Sequence, residues 1–140
     1  MIARFLFTAA HALFWAATDA RDIRNGKNIN HPVRWALRAA IEVGATLAVM
    51  PFGWGSVLTT LAAAFLFSAL FRFLLNTMRG ADWRYVSWSS LYDTLFLKLV
   101  GAPLYIGAGE YFLRKYRAGT LAYIFEAVVF AELAYLSAVL

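Results

Sequence analysis

The segment VGATLAVMPFGWGSVLTTLAAAFLFSALF, from Val43 to Phe71, contains no charged residue. Turn-like residues occupy its middle, at 50–56. With its flanks the segment predicts two helices, over 32–50 and 56–78, each close to the length of about 20 residues that crosses a bilayer core. The sequence therefore predicts a transmembrane hairpin.

Charged residues flank this apolar region on both sides. Arg38 and Glu42 precede it and Arg72 follows it, so that each lies within a predicted helix. Ionisable side chains inside membrane helices are costly, and they usually face a bundle interior where they find partners or line a functional site. The sequence therefore predicts a polar layer inside the bundle.

Composition indicates an integral membrane protein with an all-α fold. The chain has 140 residues, of which 62% are hydrophobic and 17% aromatic, and its mean hydropathy is +0.63. The absence of cysteine excludes disulfides, thiolate metal sites and cysteine nucleophiles. The net charge of +5 fits attraction to anionic membrane lipids, and no nucleic-acid partner is expected. A bacterial-type inner (cytoplasmic) membrane is the predicted location.

The distribution of basic residues sets the predicted topology. Segments 19–34, 72–84 and 114–117 are basic and residues 50–56 are not, so the positive-inside rule predicts that the three basic segments are cytoplasmic. This holds if residues 91–113 form an interfacial or re-entrant segment, which gives four transmembrane helices with both termini outside. The alternative is five transmembrane helices, with 91–113 spanning.

The two terminal helices are predicted over residues 2–18 and 120–140, within one membrane domain that covers residues 1–140. Asn30 precedes Pro32, which predicts a capped start for the second helix because proline is tolerated in a first turn. Aromatic residues after the third helix are expected to anchor the chain at the membrane surface. These anchors are Trp83, Tyr85, Trp88 and Tyr92.

Small residues recur at helical spacing on two of the predicted helices. One ladder is Ala36, Ala40, Gly44 and Ala48, and the other is Ala127, Ala131, Ala134 and Ala138. Small residues permit close helix approach in a membrane, where lipid supplies no hydrophobic drive for association. Both ladders are therefore expected to pack against helices.

The polar layer admits two interpretations. One is a cytoplasm-facing site whose guanidinium groups bind an anion or an anionic lipid headgroup. Its candidate ligands are Arg34, Arg38, Arg72, Asn76 and Arg79. The other interpretation is an interhelical ion-pair network, in which Arg38 pairs with Glu42 or Glu126. Glu132 belongs to the predicted intramembrane polar residues but has no obvious partner, and a contact with a neighbouring subunit is one explanation.

No motif indicates a catalytic centre, a cofactor or a metal. His11 and His31 are the only histidines, which disfavours a histidine-rich metal site. The expected function is a non-enzymatic structural or accessory subunit of a homo-oligomer or larger membrane complex. The alternatives are a small oligomeric channel, transporter or holin-like protein with an arginine-lined anion site, and a lipid-modifying enzyme that uses Asp82 or Asp93 with the arginines.

Overall fold

The computed structural model describes residues 2–86, 91–99 and 108–139, and side chains at 2–86, 93–99 and 116–139. Across these residues it has five helices and no strand, which confirms the all-α prediction. The helices are α1 (Ile2–Arg24), α2 (His31–Leu47), α3 (Trp54–Met78), α4 (Leu91–Leu99) and α5 (Ala108–Val139).

Helix α3 is the centre of the bundle. It packs extensively against both α1 and α5, while α2 packs mainly on α3 and the short α4 packs on α5. Arg72 contacts Glu126, and Arg84, beyond the end of α3, lies against Gly119, so α5 runs antiparallel to α3. The end of α1, the start of α2 and the end of α3 line one cavity and so lie together, at what we term the basic end of the bundle.

Local signals fix several helix ends as the sequence predicts. The Asn30 side chain accepts a hydrogen bond from the Val33 amide at 3.2 Å, and proline follows in the first turn of α2. At the start of α3 the Ser56 hydroxyl accepts from the Gly53 amide at 3.0 Å. Gly80, after α3, has a φ of 70°, a left-handed conformation that glycine adopts without a Cβ penalty.

Helix α5 begins earlier than predicted. It starts at Ala108 rather than at residue 120, because the basic segment 114–117 that was assigned to a loop consists of residues compatible with a helix. The ambiguous segment 91–113 is divided between α4 and α5, with residues 100–107 outside the described residues.

The turn that follows α3 contacts α5 at the basic end of the bundle. The Tyr123 hydroxyl donates to the Trp83 carbonyl at 2.8 Å, and a Cβ at Gly119 would lie 1.9 Å from the Arg84 carbonyl oxygen. Helix α4 has nine residues and is therefore about 14 Å long, well short of a bilayer core of about 30 Å.

Close helix packing uses small residues other than those predicted. The buried stripe lies on α1, where the spacing of four recurs in Thr8, Ala12, Ala16 and Ala20. The ladder on α2 faces outwards: all four of its residues are exposed, and a Cβ at Gly44 meets nothing within 4 Å. The ladder on α5 is likewise largely exposed. Within the described residues of the single chain neither ladder packs against another helix, and a contact of these faces with a second chain stays a prediction.

The ladder on α2 faces outwards because its opposite face carries the polar residues that the bundle buries. Arg38, Glu42 and Thr46 are the buried residues of α2. Pairing those charges inside the bundle outweighs packing the small residues, since a charged group without a partner in an apolar medium is far more costly than an exposed alanine.

Among the described residues, two helices are long and apolar enough to cross a membrane: Trp54–Met78 and the Tyr116–Val139 part of α5. Helix α2 is shorter, with 17 residues, and α1 carries Arg4 and His11 within its apolar part. In the described part of the bundle, charged side chains such as Arg4 and Glu126 are buried, and many large apolar side chains such as Leu6 and Val128 are exposed.

Candidate functional site

Buried charges form three groups in the described part of the bundle. The first, termed the inner cluster, joins α1 to α2 through Arg4 and Glu42. One guanidinium nitrogen of Arg4 donates to Glu42 Oε2 at 2.6 Å and to the Glu42 carbonyl at 2.8 Å. The other nitrogens donate to the Thr8 and Thr46 hydroxyls. Arg4 is thus held by four hydrogen bonds, which offsets the cost of burying its charge.

His11 completes the inner cluster and its tautomer follows from its neighbours. Its Nδ1 lies 2.5 Å from Glu42 Oε1, and its Nε2 lies 2.7 Å from the Trp15 indole nitrogen. The indole N–H only donates, so Nε2 must accept and the proton must reside on Nδ1. The inner cluster is therefore one cation, one carboxylate and a neutral imidazole, closed by internal partners.

The second group joins the end of α1 to the start of α2. Arg38 donates to Asp19 Oδ2 at 2.6 Å, and Arg34 binds both Asp19 and Asp22. The Arg38 guanidinium carbon also lies 4.3 Å from the centroid of the Phe71 ring. The expected pairing of Arg38 with Glu42 or Glu126 is wrong, because Asp19, which the sequence places beyond the first membrane helix in a loop or a helix extension, lies on a further turn of α1 and binds Arg38.

The third group joins α3 to α5 and α4. Arg72 donates to Glu126 Oε1 at 2.7 Å, and its Nε lies 3.7 Å from Asp93. Glu126 is fully buried, and the Arg72 guanidinium carbon lies 5.0 Å from the centroid of the Tyr123 ring. The ion pair between α3 and α5 agrees with the network interpretation of the polar layer.

A cavity of about 390 Å³ separates the second and third groups at the basic end. Both Arg38 and Arg72 line it, together with His31 at the start of α2. The buried Nε of Arg38 has no hydrogen-bond acceptor among the described residues. The polar layer is thus closed at the inner cluster and open at this cavity.

The candidate anion ligands divide between the cavity and its surroundings. Arg79 lines the cavity and is exposed. Asn76 lines it too, but its amide donates to the Trp83 and Tyr85 carbonyls and holds the turn after α3 against the bundle. Arg34 does not line the cavity, because Asp19 and Asp22 hold it on the α1 side.

Glu132 is not part of the interior network. It lies exposed on α5, and no hydrogen bond or ion pair to it exists within the described part of the chain. Among the expected interface anchors, Trp83 is exposed and Tyr85 lines the cavity. Trp88 and the Tyr92 side chain lie outside the described residues.

The turn after α3 contains a carboxylate with a lowered pKa. Arg84 donates to Asp82 through both its side chain and its backbone amide, with N–O distances of 3.0 and 2.8 Å, and these hydrogen bonds hold the pKa of Asp82 below its ordinary value of 3.8. Asp82 is therefore ionised and engaged, which disfavours it as a general acid. Within the described residues no group of three or more potential ligands could hold a metal ion.

Sequence reasoning missed five residues of the polar groups: Arg4, Thr8, Asp19, Asp22 and Thr46. Arg4 lies within the predicted helix 2–18 but was not among the predicted polar residues, and the two aspartates lie beyond that helix, in the segment 19–34 predicted to be cytoplasmic. The available signal was spacing, since Arg4, Thr8 and His11 recur at steps of four and three and so share one face of α1.

Comparison with models of known protein families, with curated protein sequences and with solved structures finds no match to this chain.

Proposed function

We propose that the protein is a non-enzymatic integral membrane protein whose four longest helices, α1, α2, α3 and α5, all cross the bilayer, and that it acts as a subunit of an oligomeric assembly. The proposal that α1 and α2 cross the bilayer is supported by which of their side chains are buried and which are exposed. Their inner ionised groups are buried and paired, Arg4 with Glu42 and Arg38 with Asp19. Large apolar side chains are exposed, among them Leu6, Phe14, Leu37 and Val43. Such a surface suits lipid rather than water.

The observation that carries the subunit role is the position of Glu132. It lies seven residues before Val139, about 10 Å inside the end of a candidate span at 1.5 Å per residue. Acidic residues at such a depth almost always face protein or a water-filled cavity. Because Glu132 faces outwards in the single chain, we assign its contact to a neighbouring subunit.

A stripe of small residues, about 100–140° around the helix from Glu132, is also on the exposed part of α5. Ala127, Ala131 and Ala138 are exposed on the same helix, and small residues allow the close approach on which helix association in membranes depends. We therefore place the contact between subunits on the outer face of α5, and a second copy of the chain is its proposed occupant.

Disulfide cross-linking tests this contact, because the chain has no cysteine of its own. Ala131→Cys in lipid vesicles should form a disulfide-linked dimer under mild oxidation. Ala64→Cys, at an exposed position of the same residue type on α3, is the matched control and should stay monomeric. Native mass spectrometry of the cysteine-free protein should show more than one copy.

The variant Glu132→Leu distinguishes two possible environments of Glu132: a contact with a neighbouring subunit and exposure to lipid. If Glu132 binds a neighbouring subunit, the leucine variant should lose the oligomer seen by native mass spectrometry. A variant that keeps the oligomer and melts at a higher temperature would show that Glu132 faces lipid. Cross-linking at Ala40 on α2 instead of Ala131 would move the contact to the α2 ladder and overturn the assignment to α5.

A further inference from the structure

We propose that the cavity at the basic end is a binding site for a phosphate-bearing anion, held by Arg38 and Arg79. This site is separate from the outer face of α5 and does not depend on assembly. The group recognised is a phosphate, whether it belongs to a phospholipid headgroup or is free in solution, because both offer the same recognition chemistry. The lining side chains favour an anion over a cation or a neutral ligand.

Arg38 is the strongest element of the site. Its side chain is 4% exposed, yet its Nε lacks an acceptor among the described residues. A buried donor without an acceptor costs free energy that a bound oxygen would recover. An oxyanion at this position would supply the acceptor, and a guanidinium suits phosphate oxygens especially well.

The Arg38 guanidinium is already positioned for binding. Its carbon lies 4.7 Å from the centroid of the Trp15 ring and 4.3 Å from that of Phe71, and Asp19 fixes one terminal nitrogen. A side chain ordered before binding loses little further conformational entropy when the ligand arrives. The Asp19 contact engages a terminal nitrogen and leaves Nε without an acceptor among the described residues.

The charges that line the cavity favour an anion. The charged residues that line the cavity are Lys27, Arg38, Arg72, Arg79, Asp19 and Asp93. Two of the cations also contact acids behind the lining, Lys27 with Asp22 and Arg72 with Glu126. Each carboxylate is already engaged by an arginine: Asp19 by Arg38 and Asp93 by Arg72. Arg79 makes no ion pair within the described residues, so its charge is available at the cavity.

The remaining wall of the cavity is apolar and includes Ile23, Trp35 and Leu75. A volume of about 390 Å³ lies within the range of about 300–1,000 Å³ typical of small-molecule sites. It exceeds the needs of a lone phosphate. The combination of a cationic part with apolar walls therefore suits the headgroup and glycerol region of an anionic lipid, and phosphate itself is the group recognised.

Thermal melting of the full chain in detergent tests the site. The probes are phosphatidylglycerol, phosphatidylcholine and inorganic phosphate, each titrated against the wild-type protein. A ligand that binds only the folded state raises the melting temperature. We expect phosphatidylglycerol to stabilise the protein and phosphatidylcholine to do so far less. Stabilisation by inorganic phosphate as well would identify free phosphate as a sufficient ligand.

Matched variants distinguish binding of the anion in the cavity from a general attraction of anions to the basic surface of the protein. Arg79→Gln should weaken the apparent affinity for the stabilising anion on the order of tenfold, as expected for one lost charge-assisted hydrogen bond. Arg24→Gln removes the same charge from an exposed position at the same end but outside the cavity, and it should leave the affinity unchanged. Arg38→Lys keeps a cation beside Asp19 while removing Nε, and it should also weaken binding.

The proposal is overturned if neither phosphatidylglycerol nor inorganic phosphate stabilises the wild type. It is equally overturned if Arg79→Gln and Arg24→Gln reduce the affinity by the same factor, which would show attraction to net charge alone. A melting temperature of Arg79→Gln without anion that matches the wild type confirms that the variant is folded, and makes the comparison of affinities valid.

Discussion

The guanidinium of Arg4 and the carboxylate of Glu42 meet at 2.6 Å between α1 and α2, and both side chains are almost completely buried. Helix α1 packs far more extensively on α3 than on α2. The ion pair therefore provides much of the specific connection between the first two helices. Because every partner of the pair comes from the same two helices, it also fixes their relative rotation and register.

Removing one member of this pair should be strongly destabilising. Arg4→Gln leaves a buried carboxylate without its cation, at an expected cost of about 3–5 kcal/mol in the free energy of unfolding. The double variant Arg4→Gln, Glu42→Gln should recover a substantial part of that loss. Melting of the wild type, both single variants and the double variant in detergent measures the coupling, and strictly additive losses would contradict it.

Arg38 should couple to Asp19 and not to Glu42. Residues in direct contact show interaction free energies of about 0.5–3 kcal/mol, whereas those without shared partners are nearly additive. Double-variant cycles with Arg38→Gln and either Asp19→Asn or Glu42→Gln compare the two pairs. A larger coupling for the Glu42 cycle would contradict the observed arrangement.

His11 should be neutral, with its proton on Nδ1. A proton on Nε2 would place two N–H groups against each other at the 2.7 Å contact with Trp15. Nitrogen NMR of histidine-labelled protein distinguishes the two tautomers and the charged form, with His31→Gln identifying the signal. A protonated Nε2 in the wild type would show that the contact to Trp15 is absent.

Two glycines should respond oppositely to alanine. In Gly119→Ala the new Cβ would lie 1.9 Å from the Arg84 carbonyl oxygen, so the backbone must shift; we expect a marked loss of stability. Gly44→Ala meets nothing within 4 Å and should keep or slightly raise the melting temperature, because alanine favours the helix. Equal melting temperatures for the two variants would contradict close packing at Gly119.

The Asp82–Arg84 contact should give a pH-dependent contribution to stability. Because the pKa of Asp82 is lowered by the Arg84 hydrogen bonds, the contribution is fully present above the ordinary value of 3.8 and is lost as pH falls through the lower pKa of the folded state. Asp82→Asn should therefore lower the melting temperature at pH 6 and by less at pH 3. A difference independent of pH would show that ionised Asp82 does not contribute.

The helical class and the polar layer could be predicted because they depend on patterns along the chain. An uncharged stretch divided by turn residues indicates a hairpin, and counting 1.5 Å per residue places Arg72 and Glu126 at similar depth. Four spans remain a prediction, with two helices meeting the length and hydropathy criteria.

Partner choice could not be predicted in the same way. The depth of Arg38 in the bundle is compatible with several acidic partners. Which of them Arg38 contacts depends on the rotation of each helix about its axis. On α2 the small residues and the charges occupy opposite faces, and the sequence does not state which one the bundle buries. Asp19 was outside the predicted helix, so the correct partner was not among those considered.

The inner cluster also bears on how such a chain enters a membrane. Arg4 and Glu42 are separated by 38 positions, so the first helix emerges from the ribosome well before the group that compensates its charge. If α1 crosses the bilayer as proposed, inserting it alone would bring an uncompensated arginine into lipid. On that proposal the pair of α1 and α2 is the smallest segment suited to leave the insertion machinery, and a chain stopped after α1 should be retained there or degraded.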